Sequence, residues 1–263
     1  MDKDIKLKGA VIIIGSLLWD TEKKTERKKW QQHLLLTQKQ RVRLPIRYGR
    51  FSSSRSQTYS MVFSNKLNLL NEMGMGYVVP FKEYIAQKAD LLNQVTLLSK
   101  AEGFDKGDGL MFKSWGTVCI AINPFTEPDK ARKLVTMWRE LVTEKRAMLS
   151  RTQRYPNASD FGEADEEKSI DEELKLKINL DELFRNELKE VDFLLATSNA
   201  IKHSDNSNRY PTPKEIAQAM FRAKDYSYFL MNRFHSIKTQ QDRVVSKILR
   251  IKCNVSLKKE LSK

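Results

Sequence analysis

Two short stretches carry residue types that could do chemistry: "IIIGSLLWD" (residues 12–20) near the start and "AEGFDKGDG" (101–109) near the middle. In the first, a β-branched apolar run ends in Gly15-Ser16-Leu17. A strand that ends in such a turn before a helix points successive backbone N–H groups outward together. They bind a carboxylate or phosphate, and the positive end of the next helix adds to the field. Gly15 supplies close approach or a positive φ. The same composition also makes an ordinary buried strand and turn, and both readings stand. In the second stretch, Glu102 closes a helical pattern and Gly103 stops it. The negative end of the helix dipole disfavours an ionised carboxylate there, as a general base working near neutrality requires. A solvated glutamate at a helix end is the bland alternative.

Other chemistries are excluded by pattern. No GxxxxGK[ST], no GxGxxG after a strand and no GxSxG occurs, which removes the phosphate-loop, dinucleotide and nucleophile-elbow readings. Cys119 and Cys253 form no CxxC pair, and His33, His203 and His235 are scattered. Neither a disulfide scaffold nor a metal site is expected, and a reducing cytoplasm is the expected compartment. Arg41, Arg43, Arg47 and Arg50 recur at a spacing near two and are expected to share one strand face as solvated edge residues. Arg50 adjoins the serine loop "SSSRSQ" and is kept as an anion-binding candidate. Trp19 and Trp115 are expected in the core or in a pocket wall, and His203 is expected to be exposed.

The elements that must position these residues follow from periodicity. Residues 9–14 make a strand buried on both faces. A helix follows over 21–35, with Trp30, Leu34 and Leu35 inward. Strands are expected at 41–51, 58–64, 74–81 and 115–124, and a helix at 83–102. Pro45 places the first of these strands at an edge or a bulge. Thr126 and Asp129 form a capping box for a helix after Pro124, and 150–170 is an acidic mobile loop or linker. A helix over 171–189 and an apolar run at 191–197 come next. Thr212, Pro213 and Glu215 start another helix. The basic end from Leu249 is expected to fray or lie on the surface.

The 263-residue chain is 40% hydrophobic and 30% charged, as in an ordinary globular protein with a core of useful size. Its formal charge of +14 raises nucleic acid or another polyanion as a partner, against a lysine-rich surface with no dedicated partner. The apolar run before Gly15 is far shorter than the ~20 residues of a membrane span, so a folded first strand is expected in place of a leader or an anchor. A strand-rich part, residues 1–125, precedes a helix-rich extension, 126–263, which implies an α+β arrangement.

The order of these elements resembles the γ-glutamylcyclotransferase-like family. "IIIGSLLWD" is similar to its strand–loop signature, in which an aromatic residue precedes Gly-Ser-Leu. "AEGFDKGDG" is similar to its later segment, where a glutamate before a glycine lies just ahead of a strand. "RVRLPIRYGR", "TYSMVFS" and "GYVVPF" fall between them in the same order, so the resemblance covers residues 9–124. It implies a compact mixed β-barrel with flanking helices, no cofactor and no metal. Ile14, Gly15, Ser16 and Leu17 would hold the α-carboxylate of a γ-glutamyl amine or peptide, and Glu102 would act as acid and base while 5-oxoproline is released. The chain departs from the pattern at Ile14, where the family has tyrosine. It departs again at Ser99-Lys100-Ala101, where the family has acidic residues. The second reading is a noncatalytic protein of the same fold that binds nucleic acid, a nucleotide or an acidic partner through its basic surface.

Overall fold

The computed structural model describes residues 5–21, 24–67 and 72–260, with side chains omitted over 251–260. β1 (Gly9–Ile13) is buried at every position, as its apolar composition demands. Both of its edges are paired: antiparallel with β5 (Gly74–Pro80) and parallel with β8 (Phe193–Asn199). β8 pairs on its other edge with β7 (Gly116–Ile122), which carries the short β6 (Phe112–Lys113). β2 (Gln40–Leu44) pairs with β5. The sheet order is therefore β2-β5-β1-β8-β7-β6, while β3 (Ile46–Ser52) and β4 (Thr58–Phe63) form a separate antiparallel pair.

This is a mixed α+β fold with a six-stranded mixed sheet, and the expected closed barrel is absent among the described residues. Among the described residues, β2 and β6 are its edges. The sheet also does not stop at residue 125. β8, from the presumed extension, lies at its centre between β1 and β7. Residues 41–51 are not one strand, because Pro45 lacks the N–H that would continue the ladder. The chain turns there from β2 into β3. The four arginines are thus divided: Arg41 and Arg43 are exposed on β2, and Arg47 and Arg50 are half-buried on β3.

Seven helices flank the strands among the described residues. α1 (Thr25–Gln31) is shorter than expected, with Trp30 fully buried. α2 (Lys88–Glu102) packs on β7 and β8 and touches α1 and α3. Gly103 adopts φ 83° and ends α2 as a left-handed cap. Ile85 lies outside α2, bridging to Leu7 in extended backbone.

α3 (Pro128–Ala147) starts after Glu127 with no side-chain cap. The expected Thr126 cap fails because its hydroxyl donates to Asp192 Oδ1 at 2.8 Å. Residues 150–170 are not a linker. Phe161 is fully buried, and Glu166 Oε1 accepts from Ser64 Oγ, Asn65 N and Tyr210 Oη at 2.8–2.9 Å. The helix expected over 171–189 shrinks to α4 (Asp181–Asn186), because residues 170–176 form extended bridges instead.

α5 (Pro213–Ala223) begins as its sequence indicates, with Thr212 and Glu215 closing a capping box. α6 (Ser227–Phe234) and α7 (Gln241–Glu260) complete the chain. The basic C-terminal part, expected to fray or lie on the surface, continues α7 as helix to Glu260, and residues 261–263 lie outside the described residues. His203 is buried rather than exposed, with Nδ1 3.0 Å from Asp205 and Nε2 3.3 Å from Glu215. No described helix is long and apolar enough to cross a membrane.

Candidate functional site

β1 runs out at Ile13 beside β8, and the turn at residues 15–19 leaves the sheet on the side where α2 ends. That convergence forms a cavity of about 90 Å³. Its wall contains Ile14, Gly15, Ser16, Leu17, Arg50 and Glu102, the six residues singled out in the sequence. The volume is far below the ~300–1,000 Å³ of pockets for drug-sized ligands, so it suits a small polar head group.

The organiser is a residue the sequence reading passed over. Arg27, on α1, has a side chain only 2% exposed. Its Nη1 donates to Ser16 O at 3.1 Å, to Ser16 Oγ at 2.8 Å and to Asp20 Oδ2 at 2.9 Å. Its Nη2 donates to Glu102 Oε2 at 3.1 Å, and its Nε to Ala101 O at 3.0 Å. One guanidinium thus holds the Gly-Ser-Leu turn and the end of α2 in fixed relation, and two carboxylates balance its buried charge. The clue was available: Arg27 lies three residues before Trp30, on the face of α1 that turns inward.

Glu102 caps the last turn of α2 and is mostly buried, at 15% side-chain exposure. Its Oε1 faces Thr197 Oγ1 at 3.4 Å, a long contact that leaves this oxygen with acceptor capacity. The backbone N–H groups of Gly15, Ser16 and Leu17 donate to no acceptor among the described residues. They are the donors an anion at this turn would use.

Cations line the remaining wall. Arg55, in the serine loop between β3 and β4, donates to Ser16 Oγ at 2.6 Å, and its guanidinium lies 4.2 Å from the centre of the Tyr228 ring. Arg50 donates to Ala200 O at 3.1 Å and stacks over Trp115 at 5.1 Å. Burial pushes its pKa down from the ordinary arginine value. Burial also lowers that of Lys24, assisted by Arg27 and opposed by Asp20. The serine loop is therefore part of the wall, through Ser52 and Ser54 as well as Arg55.

Tyr228, from α6, closes the cavity. Its hydroxyl accepts from Met61 N at 3.3 Å, and a Cβ placed on Gly15 would meet that hydroxyl at 2.7 Å. A tyrosine hydroxyl thus reaches the turn from the far end of the chain, although Ile14 precedes Gly15. No local sequence signal could have found Tyr228.

The cavity can therefore orient a carboxylate among three or four cations and unpaired N–H groups, beside one fixed carboxylate. Among the described residues, no group of three His, Cys, Asp or Glu side chains is placed to hold a metal ion. Burial pushes the Cys119 thiol up, well away from thiolate reactivity. Comparisons with protein-family models, curated proteins and solved structures return no match.

Proposed function

We propose that the protein is a γ-glutamylcyclotransferase-like enzyme that releases 5-oxoproline from a γ-glutamyl amine or peptide. One observation carries this reading: a single buried guanidinium, Arg27, binds both Ser16 and Glu102 at the wall of one small cavity. In this reading the substrate α-carboxylate sits on the N–H groups of Gly15–Leu17, with Arg55 completing its charge balance. Ile14 and Leu17 supply apolar wall, and Arg50 faces the departing half of the substrate.

Glu102 takes a proton from the substrate α-ammonium. The freed amine attacks its own γ-carbonyl, and a five-membered lactam forms as the C–N bond to the leaving amine breaks. Both protons shed by the attacking nitrogen end on the departing amine, so atoms and charge balance. Glu102 ferries at least the first. Because the attack is intramolecular, the protein's main task is to hold a folded conformer, and a positioned carboxylate is the remaining requirement. The chemistry needs no covalent nucleophile.

The test is chromatography with mass detection of 5-oxoproline from a panel of γ-glutamyl amines, amino acids and peptides. Release from at least one member is expected. Glu102→Gln should lower the rate by about 10²–10⁴-fold, with an unchanged circular dichroism spectrum. A panel with no product, or a Glu102→Gln variant of full activity, would rule the reading out.

A further inference from the structure

Six basic residues that Arg27's cavity does not use share another face. Between the edge of the sheet at β2 and the helices α6 and α7 runs a groove of about 1100 Å³. Arg43, Arg233, Lys238, Arg243, Lys247 and Arg250 line it, and among the described residues Asp242 is the only acid that lines it. That aspartate does not neutralise the groove from its surface. It is buried, Thr239 Oγ1 donates to it at 2.8 Å, and burial raises its pKa above the ordinary aspartate value.

The cations are displayed in an ordered way. Arg243, Lys247 and Arg250 follow one stripe of α7 and are exposed; at helical rise they span about 10 Å. Lys238 is presented by backbone pinned to β5, since Met75 N donates to Lys238 O at 2.7 Å and Lys238 N to Met75 O at 3.1 Å. Arg43 adds its charge from β2 on the opposite bank, and Arg233 contacts Ser246 across the α6–α7 junction.

One residue along the chain from the groove-lining Arg233 is an exposed aromatic. Phe234, next to Arg233 and last in α6, is 80% exposed, and its ring meets His235 edge-on at 5.1 Å. A charged track with a free aromatic face is how proteins hold unpaired bases. An acidic peptide would satisfy the cations but has no use for the ring. A duplex would bury its base faces in its own stack.

We propose that this groove binds single-stranded nucleic acid, its phosphates along α7 and β2 and a base on Phe234. The site is separate from the small cavity and stands whether or not that cavity is catalytic.

Fluorescence anisotropy with a labelled, mixed-sequence strand of about 15 nucleotides tests it. About five phosphate contacts predict an affinity loss of about 100-fold as salt rises from about 50 to 200 mM. Arg243→Glu with Lys247→Glu should weaken binding at least tenfold. A control with the same net charge, Lys106→Glu with Arg151→Glu, should change it less than threefold. Phe234→Ala should weaken it by about fivefold or more while leaving the salt slope unchanged. The proposal is overturned if the strand does not bind or if the control loses as much as the groove variant. Equal affinity for polyglutamate, anionic vesicles or a duplex of the same length would overturn it as well.

Discussion

Gly15 and Tyr228 are coupled by a distance. The 2.7 Å that would separate a Gly15 Cβ from the Tyr228 hydroxyl is a clash that a buried ring relieves only by moving. Gly15→Ala is therefore expected to cost about 1–3 kcal/mol. Tyr228→Phe, which removes the clashing atom, should recover most of that loss in the double variant, as urea unfolding of all four chains would reveal. If the two losses simply add, the close approach is absent in solution. Arg27 is the more severe site. Arg27→Met leaves Asp20 and Glu102 without their buried partner and is expected to cost about 3–5 kcal/mol. Arg27→Lys should recover little of it, because an ammonium cannot reach Ser16, Asp20 and Glu102 at once. The candidate residues that could be read from sequence, Ile14–Leu17, Arg50 and Glu102, announce themselves by local pattern. Arg27 and Arg55 do not, since a basic residue in "TERKKW" or "SSRSQ" looks solvated until the fold buries it.

Among the elements, those whose ends are written locally are legible: Gly103 stops α2, and Thr212 and Glu215 start α5. The α5 start also has a pH signature. The Arg209 guanidinium beside Glu215, together with the Thr212 N–H and hydroxyl, holds its carboxyl at about 2, below the ordinary 4.5. A depressed carboxyl contributes stability that is complete above the unfolded value. That contribution is lost as pH falls through 4.5 towards 2. Glu215→Gln is therefore expected to cost about 1 kcal/mol at pH 7. Urea unfolding should show the gap to the parent chain closing as pH drops below about 4.5. Elements whose fate depends on distant partners were not legible. Thr126 has the composition of a cap but spends its hydroxyl on Asp192, and residues 170–176 have helical composition but lie extended, with Ile170 bridging Leu176 and Lys175 bridging Ile120 of β7.

At the scale of the molecule, the α+β class followed from the chain's texture. The placement of β8 did not, because "VDFLLAT" carries no mark of its partners. With β8 between β1 and β7, the chain cut after residue 125 loses the strand that joins the two parts of its sheet. That fragment is expected not to fold alone, which the amide dispersion of its proton spectrum would report; a dispersed spectrum would restore an independent N-terminal domain. The same placement governs how the protein comes into being. Lys8 N donates to Asp192 Oδ2 at 2.7 Å across a separation of 184 residues. A ribosome needs roughly ten to forty seconds to deliver the second partner after the first. Through that interval the β8-facing edge of β1 waits unpaired, and that of β7 waits from the time residue 122 is made, the condition in which unfinished chains stick to one another. Shelter for that gap during synthesis, by holding the nascent chain or by speeding translation through it, is expected to raise the yield of folded protein.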